Sequence, residues 1–148
     1  MALAYRSDRF CDAEAVRRAV FMEEQGFCNE FDAVDERPDT IHVTAYDEGA
    51  LVGCARVFPD DGSDTNAHSA TGWIFGRLAV MPEARKGGLG SLILAESERL
   101  AREQGATEMH LHAQCRVQPF YQRAGYEPYG PIEYDEHVEH QWMRKALA

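Results

Sequence analysis

Hydrophobic and polar positions change their spacing several times along the chain, and each change marks an element. Leu3 to Arg6 predicts a short first strand. From about residue 13 to 25 the spacing lengthens to that of a helix. Val16, Ala19, Val20 and Glu23 share one face, Phe21 lies to one side, and Asp12 is placed to cap the start. Residues 23–39 lose this periodicity and predict loop or short helix. Thr40–Tyr46 and Leu51–Phe58 alternate and are rich in β-branched residues. With Asp47-Glu48-Gly49-Ala50 between them they predict a β-hairpin. Pro59–Gly72 is polar and predicts an exposed loop, and residues 73–81 form an apolar strand.

A second helix follows a glycine-rich stretch and runs to about Gln104, where Gly105 stops it. Leu89, Leu92, Ile93 and Leu100 fall on one side of it, with Glu96 in the middle of that stripe. A carboxylate there is expected to reach water past the core edge or to pair with a cation. Glu108–Gln114 predicts a strand with Met109, Leu111 and Ala113 on one face and His110, His112 and Gln114 on the other. Val117–Ala124 predicts a short helix, Tyr126–Tyr129 a strand broken by Gly130-Pro131, and His137–Leu147 the last strand. The order β-α-ββ-β-α-β-α-β-β, a hairpin leading into two β-α crossovers, predicts an α/β (α+β) fold. Its sheet is mixed, with helices on both faces.

Composition narrows the function. The 148 residues suit a single domain over 1–148, and a hydrophobic content of 45% supplies a core. No stretch approaches the ~20 apolar residues that span a membrane, and Met1 to Arg6 lacks the shape of a signal peptide, so a cytoplasmic location is expected. Cys11, Cys28, Cys54 and Cys115 are scattered without a Cys-x-x-Cys and read as reduced thiols. His110 and His112 could share a metal, but no third ligand is near them in sequence, so no metal is expected. The formal charge of −10 argues against nucleic acid as a partner. Glu23, Glu24, Glu30, Asp32, Asp35, Glu36 and Asp39 face only Arg37 in residues 23–39. Two readings of that segment stay open: an approach for a cationic ligand through Glu24, Asp32 and Asp35, and plain solvated charge.

The chemistry concentrates at Gly76-Arg77-Leu78-Ala79-Val80-Met81-Pro82-Glu83-Ala84-Arg85-Lys86-Gly87-Gly88-Leu89-Gly90-Ser91, where an apolar strand runs through a basic, glycine-rich loop into a helix. Glycines let the backbone approach a ligand, and the first N–H groups of a helix point outward at the positive end of its dipole. Such a loop suits a phosphate group. A P-loop would need Gly-Lys before Ser or Thr, whereas the order here is Lys86-Gly87. A dinucleotide fingerprint would need glycine where Ile93 stands. The pattern present is Arg-x-x-Gly-x-Gly at residues 85–90.

Arg77-Leu78-Ala79-Val80 followed by Arg85-x-x-Gly88-x-Gly90 resembles the central motif of the GNAT acetyltransferase superfamily. Val20-Phe21-x-x-Glu24-Gln25-Gly26 is similar to the start of a subgroup of small bacterial members. Ala113-Gln114 with Phe120-Tyr121-x-x-x-Gly125-Tyr126 resembles the next block, and Glu136, His140 and Met143 resemble the closing strand. The similarity covers nearly the whole chain. It implies a mixed sheet of six to seven strands with splayed central strands, and acetyl-CoA as cosubstrate lying between the strands that end near Val80 and Gln114. By the same resemblance Leu78, Ala79, Val80 and Gln114 line the cofactor, and Arg85, Lys86, Gly87, Gly88, Leu89, Gly90 and Ser91 hold its pyrophosphate.

The implied reaction is transfer of an acetyl group to a primary amine, in a small molecule or a peptide, and a homodimer is compatible with it. Tyr121 would protonate the departing thiolate, since a phenol with a pKa near 10 stays protonated and can donate. Without the resemblance Tyr121 reads as a core aromatic. Many family members carry a glutamate base on the strand before the loop; at the matching place, near Ile74, this chain has no carboxylate, so the residue that accepts the amine's proton stays open. Two other functions also stay open: a CoA-binding sensor or interaction domain without turnover, and a phosphate-binding protein unrelated to CoA.

Overall fold

A computed structural model of the protein describes residues 2–61, 71–85 and 87–147. Strands β1 (Leu3–Arg6), β2 (Ile41–Asp47), β3 (Ala50–Pro59), β4 (Gly72–Val80), β5 (Glu108–Gln114), β6 (Glu127–Asp135) and β7 (Val138–Ala146) form one seven-stranded sheet. Its order is β1-β2-β3-β4-β5-β7-β6, and β4 with β5 is its parallel pair. Helix α2 (Leu89–Glu103) crosses over between those two strands. Helices α1 (Phe10–Arg17) and α3 (Gln118–Arg123) complete the expected order. No helix among the described residues is long and apolar enough to cross a membrane.

Two apolar layers flank the sheet. Leu89, Ile93 and Leu94 of α2 and Tyr121 of α3 pack on Ala55, Val57, Phe75, Met109, Leu111 and Met143. On the other face Ala13, Val16 and Val20 pack on Cys54 and Ala79. Period-two alternation along β3 sends Cys54 to one layer and Ala55 to the other. The β2–β3 turn places Glu48 at φ 50° and Gly49 at φ 85°, the pair of positive φ values that a tight hairpin needs.

Three local expectations are corrected. The first helix begins at Phe10, and Asp12 does not cap it; the Asp12 carboxylate instead accepts the Tyr46 hydroxyl at 2.5 Å. After Arg17 the helix widens into a π-helical stretch, Arg18–Glu24, in which the Gln25 N–H reaches back to the Val20 carbonyl. Strand β6 continues past Gly130-Pro131 to Asp135. It lies at the sheet edge, and its pairing with β7 slips between Tyr129 and Glu133, so a residue without an N–H is accommodated. In α2 the buried stripe runs through Ile93, Ser97 and Ala101, while Leu92 is 40% exposed. Glu96 thus stands at the core edge and pairs with Arg99 at 2.8 Å. The buried carboxylate of this helix is Glu98, which accepts Tyr126 Oη at 2.7 Å and Lys145 Nζ at 3.1 Å.

Candidate active site

The site begins where two parallel strands stop pairing. β4 and β5 are bonded only from Gly72 with Glu108 to Phe75 with Leu111. Beyond that point β4 follows β3 as far as Val80, and β5 follows β7 as far as Gln114. A bulge on β4 accompanies the parting. Ala79 lies opposite Cys54 and Gly76 opposite Arg56, so Arg77 and Leu78 share one residue, Ala55, on the partner strand. Such an insertion bends a strand and re-aims it. Arg77 takes φ 55° here, a conformation uncommon outside glycine.

The Arg77 side chain helps hold that backbone in place. Its guanidinium meets Glu30 Oε2 at 2.8 Å and donates to the Glu30 carbonyl at 3.0 and 3.2 Å. Around it three arginines from three elements meet three carboxylates of one loop. Arg17 of α1 binds Glu30 at 2.9 Å and Asp35 at 2.7 Å. Arg56 of β3 binds Asp32 at 2.7 Å and Asp35 at 2.9 Å. Burial pushes the Asp35 carboxyl up, but the bonds from Arg17 and the Asp32 N–H, with Arg56 beside them, hold it well below the usual range. For Glu30 burial prevails and its pKa lies above the usual range, despite Arg77 and Arg17.

The parted strands border a cavity of about 610 Å³. Leu78, Ala79 and Val80 line one side, and Ala113, Gln114, Phe120 and Tyr121 line the other. At one end the cavity reaches Arg85, Gly88, Leu89, Gly90 and Ser91. Gly87 and Gly88 have φ 96° and 75°, so the loop bends in a way side chains resist. Gly88 caps α2, leaving the first N–H groups of that helix without helical partners. At Gly90 a Cβ would stand 3.3 Å from the Phe120 ring, so the missing side chain lets α2 seat closely against α3. Lys86 lies outside the described residues.

The structure brings most of the sequence-derived cofactor residues to this one cavity, with the side chains of two already engaged. Arg85 Nε donates to the Val80 carbonyl at 3.0 Å, and its other nitrogens bind Glu24 at 2.5 and 2.8 Å. Gln114 Nε2 donates to Gln25 Oε1 at 2.8 Å, joining the end of β5 to the end of the π-helical stretch. Tyr121 is buried edge-on to Phe75, Phe120 and Tyr126, and burial pushes its phenol above the ordinary value.

The acidic segment needs correction as a free negative surface. Glu24 sits beside the glycine loop, paired with Arg85. Asp35 is enclosed by Arg17 and Arg56 and lines neither of the two cavities described here. Asp32 alone of the three borders the second cavity, and Arg56 holds it. A count along the chain found one arginine in the segment because the others arrive from α1, β3, β4 and the glycine loop.

That second cavity, of about 420 Å³, shares Phe75, Gly76, Arg77, His112, Asp135 and His140 with the first. The two meet at these residues, where β4 parts from β5. His112 stacks 4.9 Å from Trp142 and 5.0 Å from His140 between ring centroids. Asp135 and His140 fall within residues 130–140, a stretch expected along with 23–39 and 59–72 to form an acceptor pocket, but neither carried a catalytic role and Trp142 carried none. His140 stood only within the closing motif, and two-residue spacing along β7 was the available signal for His140 and Trp142 together. Glu136, from the same motif, accepts the N–H groups of Cys28 and Asn29 at 2.9 Å, fastening the 27–30 segment over the site. Residues 62–70 of the exposed loop predicted over Pro59–Gly72 lie outside the described residues. His110 Nδ1 lies 2.8 Å from Tyr129 Oη, and no group of three potential metal ligands occurs among the described residues.

Comparison with known proteins agrees with this arrangement. A family model described as acetyltransferase (GNAT) family matches residues 5–126. A Bacillus subtilis protein provisionally named an acetyltransferase is 37% identical over 114 residues, covering 75% of this chain and 71% of its own. Escherichia coli ElaA superposes with a TM-score of 0.83 at 20% identity, over 97% of this chain and 99% of that one. An aminoglycoside 6'-N-acetyltransferase solved with coenzyme A superposes with a TM-score of 0.76 at 19% identity, over 100% and 98%.

Proposed function

The chain belongs to the acetyltransferase (GNAT) family, and from that premise we propose that it uses acetyl-CoA to acetylate a primary amine by direct transfer. The observation that carries this reading is the continuous cavity from the parting of β4 and β5 to the start of α2. It offers an extended arm the unpaired edge of β4 and a diphosphate the helix N-terminus. The likeness in fold to an N-acetyltransferase solved with coenzyme A supports a coenzyme A ligand.

In this reading the pantetheine arm lies along Leu78, Ala79 and Val80, with Gln114 across from it. The pyrophosphate meets the N–H groups of Gly87 to Ser91, with Lys86 beside them. Arg85 is already paired with Glu24, so it steadies the loop and gains less from a diphosphate than a bare guanidinium would. The acetyl group reaches the residues shared by the two cavities, and the amine arrives through the second. Asp135 borders that second cavity and favours a cationic acceptor, whereas Asp32 there is held by Arg56, and Arg37 and Arg77 line the same walls. Tyr121, kept protonated by burial, supplies the proton for the thiolate.

The reaction is tested by incubating the protein with acetyl-CoA and a panel of alkylamines, amino acids, aminoglycosides and peptides, and following free thiol. Thiol release that depends on one class of amine, with its acetylated product in the mass spectrum, is the expected result. Thiol release at the no-amine rate with every acceptor, alongside measurable acetyl-CoA binding, would favour the sensor reading.

A further inference from the structure

We propose that His140 is the base that takes the proton from the incoming ammonium, an inference that rests on the acetyltransferase reading above. A protonated alkylamine has no lone pair for attack, and its pKa near 10 keeps it charged at neutral pH. The strand around Ile74, where the sequence resemblance would place a glutamate base, carries no carboxylate, so the proton must go elsewhere.

The hydrogen bonding assigns the His140 tautomer. Nδ1 lies 3.0 Å from the Val138 carbonyl, and a carbonyl oxygen only accepts, so Nδ1 carries the hydrogen. In the neutral ring the lone pair is therefore on Nε2. Nε2 has no hydrogen-bond partner among the described residues and is not fully sealed from solvent, while His140 lines both cavities at their junction. A neutral imidazole with a bare Nε2 can accept a proton there and return it to solvent.

The groups around it come from every neighbouring element. His112 stacks on it from β5, with Gln114 opposite in register. From β6, Glu133 lies opposite it in register and 3.4 Å from His112 Nε2, and Asp135 borders the junction. Phe27 packs 6.4 Å away, between ring centroids, and Glu30, Arg77 and Tyr121 line the same cavity. Glu133 and Asp135 favour an ammonium at this place, against the single Arg77 guanidinium at the same junction, and the fixed Nδ1–H leaves the lone pair on Nε2.

The ammonium N–H bond breaks, its proton moves to His140 Nε2, and the amine keeps the electron pair. That pair forms the C–N bond at the thioester carbonyl, whose π electrons move to oxygen. The intermediate re-forms its C=O bond and the C–S bond breaks, its electrons leaving on sulfur. Sulfur takes the Tyr121 phenol proton, and the surplus proton on nitrogen restores the phenol. One proton remains on His140 and passes to water, which gives amide, free thiol and one released proton.

The test compares the parent with His140→Asn, whose amide can still donate to the Val138 carbonyl but carries no basic nitrogen. The probes are an alkyl diamine, charged at neutral pH, and hydroxylamine, which is neutral there. We expect kcat with the diamine to fall ~100-fold, within the range for loss of a general base, and the parent's acid limb to disappear. Turnover with hydroxylamine should change only a few-fold, and acetyl-CoA affinity should stay the same. His112→Asn should keep the acid limb. Nitrogen-15 spectra of the parent imidazole should show Nδ1 protonated and Nε2 bare, a readout that needs no acceptor.

An Nε2–H tautomer overturns the proposal. So does a His140→Asn enzyme that keeps the parent's diamine rate and acid limb, or one that loses both probes equally. A parent that binds no acetyl-CoA and acetylates neither probe counts instead against the acetyltransferase reading.

Discussion

Replacing Arg77 by alanine and by glycine separates the two things this residue does at the bulge. Its side chain bonds Glu30, which is only 5% exposed at the side chain, and its backbone sits at φ 55°. Removing one partner of a buried ion pair costs about 3–5 kcal/mol. Here the loss is smaller, because Arg17 still binds Glu30 at 2.9 Å and Arg77 is itself partly exposed. Arg77→Ala should therefore destabilise by ~2–3 kcal/mol. Glycine loses the same side chain but escapes the left-handed penalty of about 1–2 kcal/mol. It gives back ~0.4–1 kcal/mol through a freer unfolded chain. Arg77→Gly should thus be more stable than Arg77→Ala by ~0.5–1 kcal/mol. Urea unfolding of the three proteins measures both differences. An alanine variant equal to or more stable than the glycine variant would show that the bulge carries no such strain. Loss of less than ~0.5 kcal/mol in both variants would remove Arg77 from the supports of the bulge.

Tyr121→Phe keeps the buried ring and removes the donor, so turnover should fall roughly tenfold to a few hundredfold with acetyl-CoA affinity nearly unchanged. Parent turnover across the pH range, with chemistry rate-limiting, would leave Tyr121 as a packing residue only. Asp32 and Asp35 are held below their ordinary values in the fold, so the stability they contribute is present above the unfolded carboxylate pKa and is lost as pH falls through the folded values. Glu30 is shifted upward and opposes this in part. The net expectation is stability declining below about pH 4, with a shallower decline in Asp35→Asn; equal acid slopes would contradict it. Glu136→Gln removes a carboxylate that accepts N–H groups of Cys28 and Asn29 and should speed amide exchange there. Unchanged exchange at both amides would show that the 27–30 segment is held by other contacts.

Regular elements were legible because their signals are local. The β2–β3 hairpin, β5 and the span of α2 follow from alternation, a turn glycine and a stop glycine within a few residues. What escaped depends on residues far apart in sequence. Arg17 looks like a solvent-facing helix residue until Glu30 and Asp35 fold against it, 13 and 18 positions away. The bulge at Arg77 leaves no mark in composition, because a register slip is a property of two strands. In α2 Leu89 and Ile93 of the expected stripe are buried, but its other members Leu92 and Glu96 stand at the edge and Ser97 and Ala101 continue the core face, since both phases contain aliphatic residues. Tyr126 and Lys145, which settle the matter by binding Glu98, come from beyond the helix. The glycine loop was readable as a bend leading into a helix; its Glu24 partner, 61 positions from Arg85, was not.

The most direct measurement is the stability of the protein with acetyl-CoA, ATP and NAD at equal concentration, for the parent and Ser91→Asp. Ser91 is exposed in the first turn of α2, where a carboxylate suits the helix dipole but opposes a diphosphate. At a hundredfold over its dissociation constant acetyl-CoA should stabilise the parent by about 2.7 kcal/mol, while ATP and NAD leave it unmoved. Ser91→Asp should be as stable as the parent without ligand and should lose the acetyl-CoA effect. A parent unfolding curve unmoved by saturating acetyl-CoA would contradict the account.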